Sequence, residues 1–144
     1  MSGDKCLQFV SFIQAQRLKV VGFDWFVGEH FHDDGRLYKL DLIRKTNHND
    51  HTGEASAPTV ALALKWARDV KKIIYRIEVT TFNKFYAEIL KDSAKCVKDR
   101  YNLNDWKSVK IKGSSAVSSF STYEEAESAL LDAMLWEIEN PRKQ

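Results

Sequence analysis

Between residues 56 and 79 the apolar pattern of this chain switches from the repeat of a helix to the repeat of a strand. In "SAPTVALALKWARDVKK", Val60, Ala63, Leu64, Ala67 and Val70 recur three and four positions apart, with Trp66 on the flank. In "IIYRIEV", Ile73, Tyr75, Ile77 and Val79 take one side while Arg76 and Glu78 take the other. A stripe with 3.6 residues per turn cannot lie flat in a sheet, and an alternating one cannot cover a helix face. The chain must therefore combine helix and sheet. Ser56 is placed to cap the helix, and Pro58 falls in the first turn, where its missing N–H costs nothing. Basic residues gather at the far end, where they complement the macrodipole.

Other segments fit the same plan. "FYAEIL" alternates Phe85, Ala87 and Ile89 on one side, which predicts an antiparallel pair with the strand before it. Near the start, Ser11 and Gln14 have capping-box spacing, and Gly22 can take the left-handed conformation that ends a helix; Phe12, Ala15 and Leu18 would face inward. "WFVGEHF" and "RLYKLDLI" flank "HDDG", a hairpin signal, with Tyr38, Leu40 and Leu42 as the apolar face of the second strand. A last helix is predicted from Ser121, with Glu124 in capping-box position, to a stop before Pro141; its inner stripe is Tyr123, Ala126, Leu130, Ala133, Met134 and Ile138.

The predicted order is helix, hairpin, helix, two or three strands, helix. Chain neighbours that are also strand neighbours imply an α+β fold, an antiparallel sheet made of the hairpin and two or three further strands, with about three helices packed mainly on one face. The 144 residues suffice for one domain, 1–144, with a polar internal loop at 44–57 and an irregular basic segment at 91–112 that ends in a strand from Ser108. With 44% hydrophobic and 29% charged residues, the chain has the makeup of a globular protein. Cys6 and Cys96 stand 90 positions apart without metal-site or framework spacing and read as reduced thiols. The N-terminal residues lack a charged n-region and apolar h-region, and no apolar run is long enough to span a bilayer. The expected setting is cytoplasmic, with no membrane partner.

All four histidines fall between residues 30 and 51, among aspartates. His30, His32, His48, Asp50 and His51 are the candidates for a metal site, because imidazole and carboxylate are the usual donors to zinc-class ions. His30 and His32, two apart on a strand, leave one face. "HNDH" at 48–51 resembles part of the HxHxDH motif of metallo-β-lactamase-like hydrolases, but Thr46 stands where that motif has its first histidine, and the chain is too short for that fold. The bland alternative is turn chemistry, which favours Asp, Asn, His and Gly. The reading preferred here assigns no catalytic residue, no metal and no cofactor; metal-dependent hydrolysis through the cluster is an alternative.

Nucleic acid is the other alternative. Residues 91–112 carry seven Lys or Arg against three Asp, net +4, which leaves −2 for the remainder of a chain whose total is +2. Lys95, Lys98, Arg100, Lys107, Lys110 and Lys112, with Tyr101 and Trp106 among them, are what single-stranded nucleic acid would need for phosphate contact and base stacking. The α-β-β-β-α order of residues 58–139 also resembles a double-stranded-RNA-binding domain in outline. Glu124, Glu125 and Glu127 stand where that family grips phosphate with lysines, which argues against duplex RNA.

Two stretches, "SAPTVALALKWARDVKKIIYRIEV" and "STYEEAESALLDAM", resemble a group of small uncharacterised proteins encoded by phages, prophages and other mobile elements of gut bacteria. Their pattern is an APT-capped helix with a KWLR-type sequence, two strands and a SYEEA-type helix; "QAQRLKVVGFDW" resembles their opening segment. The resemblance implies a mobile-element origin in a bacterial cytoplasm and carries no activity or catalytic residue. The expectation is a non-catalytic accessory protein that binds a host or phage protein through aromatic surface, with Trp25, Phe26, Tyr101 and Trp106 as candidate contacts.

Overall fold

The computed structural model describes residues 8–39, 46–79, 83–92, 106–109 and 119–140. The chain divides into two compact units, Met1–Trp66 with Pro141–Gln144, and Ala67–Asn140. Among the described residues, three helices and antiparallel strands make up the α+β class expected from the sequence, but the strands form two sheets where the sequence pattern suggested one.

In the first unit, helix α1 (Phe12–Val20) starts at a complete capping box: Gln14 N donates to the Ser11 hydroxyl, and Ser11 N donates to Gln14 Oε1. Satisfying two orphan donors at once adds about 1 kcal/mol to a short helix. Gly22, with φ +96°, turns the chain out of the helix and delivers Phe23 to the core. Strands β1 (Glu29–His32) and β2 (Leu37–Lys39) make the expected hairpin through Asp34-Gly35, with Gly35 at φ +82°. The first hairpin strand is shorter than the sequence suggested: Trp25 and Phe26 are not in the ladder, and Val27 instead bridges to Thr46. Leu40 and Leu42 of the second lie outside the described residues.

The polar stretch expected to be a loop contains a 3-10 turn (His48–Asp50) and strand β3 (Glu54–Ser56), which pairs with the other edge of β1. Ser56 therefore sits in a strand and does not cap the next helix. Helix α2 (Val60–Lys71) begins with Leu62 N donating to the Thr59 hydroxyl. Val60, Ala63, Leu64 and Ala67 are buried as the pattern required. Trp66, expected on the flank, is fully buried, and Val70, expected inside, is exposed.

The second unit is a four-stranded antiparallel sheet with a helix on it. Strands β4 (Ile74–Val79) and β5 (Phe85–Asp92) pair along their length, and β6 (Trp106–Val109) and β7 (Ser119–Phe120) both pair with β5. Of the segment 91–112, expected to be irregular up to a strand from Ser108, Lys91 and Asp92 instead continue β5, and the later strand starts two residues earlier, at Trp106; residues 93–105 and 110–112 lie outside the described residues. Helix α3 (Tyr123–Glu139) lies against β4, β5 and β7. Its cap is Thr122, whose hydroxyl accepts from Glu125 N, one residue later than the expected Ser121. Ala126, Leu130 and Met134 are buried as expected; Leu131 and Leu135 join them, because a helix lying flat on a sheet buries a broader stripe than a helix-pairing seam. Tyr123, expected inside, is exposed, though its ring meets Phe85 edge-on at 5.7 Å.

Candidate metal centre

The register of the first sheet builds the site. In β1 and β3, His30 stands opposite Ser56 and His32 opposite Glu54. Residues directly opposite share a face, as do residues two apart, so His30, His32, Glu54 and Ser56 all lie on one side. Across β1, Tyr38 is opposite His30 and joins the same side. Its expected place in an apolar core face is not taken; Tyr38 is exposed, its ring stacked on that of His30 at 5.7 Å and tilted against that of His32 at 4.2 Å.

His48 arrives from the 3-10 turn, which is held by its asparagines. Asn47 accepts from Asn49 N, Asn49 Nδ2 donates to Phe23 O at 2.7 Å, and Ser56 N donates to Asn49 Oδ1 at 2.8 Å. From α1, Lys19 Nζ donates to the carbonyls of His51 and Glu54 and so ties down the chain between the turn and β3. Gly53, at φ +81°, makes the bend in that interval, and a Cβ there would press on Asp33 Oδ2 at 3.3 Å.

The result is two imidazoles closed on one carboxylate. His48 Nδ1 lies 3.0 Å from Glu54 Oε2, and His30 Nε2 lies 3.8 Å from Glu54 Oε1. The rings of His30 and His48 stack at 4.2 Å with planes 19° apart, and both residues are buried, 5% and 2% exposed. A donor from each of His30, His48 and Glu54 falls within 4.8 Å of the other two. Two donors on a tetrahedral zinc, each at about 2.0–2.1 Å, stand about 3.4 Å apart; the contacts of 3.0 and 3.8 Å run to different oxygens of Glu54, so the three side chains are near this spacing and must shift to share one ion. Because the planes are nearly parallel and His48 Nδ1 donates its proton to Glu54, closing on one ion requires rotation of one ring and a shift of the His48 proton to Nε2. The far nitrogens, His30 Nδ1 and His48 Nε2, and the hydroxyl of Ser56 are buried without a hydrogen-bond partner.

The charge states suit a cation. Burial lowers the pKa of His30, and the neighbouring imidazole of His48 adds to this against the opposing pull of Glu54, so His30 is neutral at neutral pH. The hydrogen bond from His48 lowers the pKa of Glu54 despite partial burial, which keeps it a carboxylate. A neutral imidazole and an ionised carboxylate are the forms that ligate. Both shifts have the same consequence for stability. The unfolded chain takes up a proton at His30 near 6.5 and at Glu54 near 4.5, before the folded chain does. Stability contributed by these groups is therefore complete above about 6.5 and drains away as pH falls, first through His30 and then through Glu54. Urea unfolding of the metal-free chain at pH 8, 6 and 4 is expected to show a falling midpoint; a midpoint that rises on acidification contradicts the arrangement.

No protein-family model, curated protein or solved structure matches the chain.

Of the sequence candidates, the fold brings together His30 and His48. His32 flanks them, its ring 5.0 Å from that of His30, and the exposed His51 lies near enough to lower the pKa of both His30 and Glu54. Asp50 is exposed and is not one of the three donors. Asp34 serves the hairpin turn, accepting from Arg36 N. Glu54 was missed, because a three-residue strand shows no period and a lone Glu in a polar stretch looks like solvated surface. The signal available was only its short distance along the chain from "NHNDH". Lys95, Lys98, Arg100, Tyr101, Lys110 and Lys112 lie outside the described residues, and Trp106 and Lys107 are placed in β6 by their backbone. Of the candidate aromatic contacts in the first unit, Phe26 is 66% exposed, while Trp25 is partly covered, 6.5 Å from the Phe23 ring. Among the described residues no helix is long and apolar enough to cross a membrane.

Proposed function

We propose that this chain is a non-catalytic binding module whose first unit holds a first-row divalent ion, zinc being the ion to test, on His30, His48 and Glu54. The observation that carries the reading is the closure of two buried imidazoles, from β1 and the 3-10 turn, on a carboxylate from β3. Two nitrogens and one carboxylate oxygen select zinc-class ions over magnesium and calcium, which prefer oxygen alone. The role is structural. A unit ending at Trp66 is small for an independent core, and an ion that pins the turn and β3 to β1 adds binding energy directly to folding. The wider setting we propose, an accessory protein of a phage or mobile element in a bacterial cytoplasm, is supported by the resemblance of the three quoted stretches alone.

The test is a calorimetric titration of zinc into chain stripped by chelator and made without a histidine tag. One ion per chain is expected. His48→Ala is expected to weaken binding by more than the roughly 10–100-fold that follows from disturbing an outer-shell partner. Absence of zinc binding by the unaltered chain sinks the reading. Metal-stimulated turnover of an ester or phosphodiester would replace it with a hydrolytic one, in which the fourth position carries water.

A further inference from the structure

Strand β4 lies at the end of its sheet; among the described residues it hydrogen-bonds β5 alone. An edge strand presents a row of backbone donors and acceptors to whatever can pair with it. On β4 the two faces differ. Tyr75, Ile77 and Val79 stand opposite Ile89, Ala87 and Phe85 of β5 and so share the apolar face, yet Val79 is 66% exposed. Arg76 and Glu78 lie on the other face, with exposed side chains that pair with each other at 3.4 Å.

We propose that β4 pairs antiparallel with β4 of a second copy of this chain, about a two-fold axis at Ile77. The charges choose the register. The apolar faces of the two sheets join into one only if the axis passes through a residue, since a shift by one turns every side chain to the wrong face. An axis at Arg76 sets two arginines opposite each other, and an axis at Glu78 sets two glutamates opposite each other; both are repulsive. An axis nearer either end of β4 shortens the overlap. At Ile77, Arg76 of each copy meets Glu78 of the other, twice over, and Tyr75 covers the exposed Val79 of the second copy. Natural edges are commonly protected by charges that repel a second edge; this one is self-complementary. Arg76 also holds Glu88 on β5, which fixes its guanidinium on this face, and its five donors suffice for a further carboxylate.

Sedimentation velocity on the full chain, over about a hundredfold range of concentration, tests the pairing. A reversible monomer–dimer equilibrium is expected. Glu78→Lys places a lysine against Arg76 on both sides of the axis and is expected to raise the dimer dissociation constant about tenfold or more. Val79→Lys, at a side chain already exposed in the monomer, removes the Tyr75 contact and is expected to weaken the dimer while leaving circular dichroism, and melting at concentrations where both chains are monomeric, unchanged, so it carries the test should Glu78→Lys fold poorly. A chain that stays monomeric throughout the range, or a dimer equally tight in both variants, overturns the proposal.

Discussion

Trp66→Ala is expected to destabilise the first unit by about 3–5 kcal/mol, the cost of truncating a large aromatic in a packed core. Trp66 is completely buried, and its ring meets that of Phe23 edge-on at 5.4 Å. Phe23 is itself buried, carried there by the turn at Gly22, and its carbonyl accepts from Asn49 Nδ2. The indole thus supports the same short segment that anchors the 3-10 turn bearing His48. Its removal leaves a void beside Phe23, whose carbonyl is tied to Asn49, and a neighbour held in this way closes the gap little. Domains of this size have stabilities of only about 5–15 kcal/mol, so the loss is a large fraction of the total. Urea denaturation followed by circular dichroism reads it. Trp66→Phe keeps an aromatic edge on Phe23 and is expected to lose distinctly less. A cost below about 1 kcal/mol for the alanine variant would mean that the indole does not fill the core it is placed in.

The second large effect is on melting in the presence of metal. A ligand that binds the folded form alone stabilises it by about 2.7 kcal/mol at a concentration 100 times its dissociation constant. For a unit of this size that amounts to a rise of roughly 10–20 °C in its transition. Thermal scans of the chain with chelator and with excess zinc are expected to differ by this order. In His30→Ala or Glu54→Gln the increment is expected to shrink to near zero, although both variants also lose stability without metal, because each removes one side of the imidazole–carboxylate cluster. The difference between the two scans is therefore the readout, not either transition alone. An equal zinc increment in all the variants would place the ion elsewhere on the chain.

The sequence carried the chemistry of the local elements, because that chemistry acts over three or four residues. The Ser11–Gln14 capping box, the Asp34-Gly35 turn and the alternation of β4 and β5 are all observed where the pattern put them. Errors were small where local signals competed: Thr122 caps α3 in place of the adjacent Ser121, and Thr59 caps α2 while Ser56 is drawn into a strand. The helical stripe of α2 was read correctly in type and wrongly in orientation at two positions, Trp66 and Val70. A stripe marks which side of a helix is apolar, but the neighbour that covers it settles how far round burial extends.

The site divides along the same line. That histidines and carboxylates cluster between residues 30 and 51 is a property of the sequence alone, as is the sharing of one strand face by His30 and His32. Which of them meet was decided by the antiparallel register of β3 on β1, since that pairing brings Glu54 onto the histidine face and leaves Asp50 outside. Register is a long-range property, set by backbone bonds between segments more than twenty residues apart and by the asparagine and lysine contacts that lock the intervening turn. No periodicity in a three-residue strand announces it.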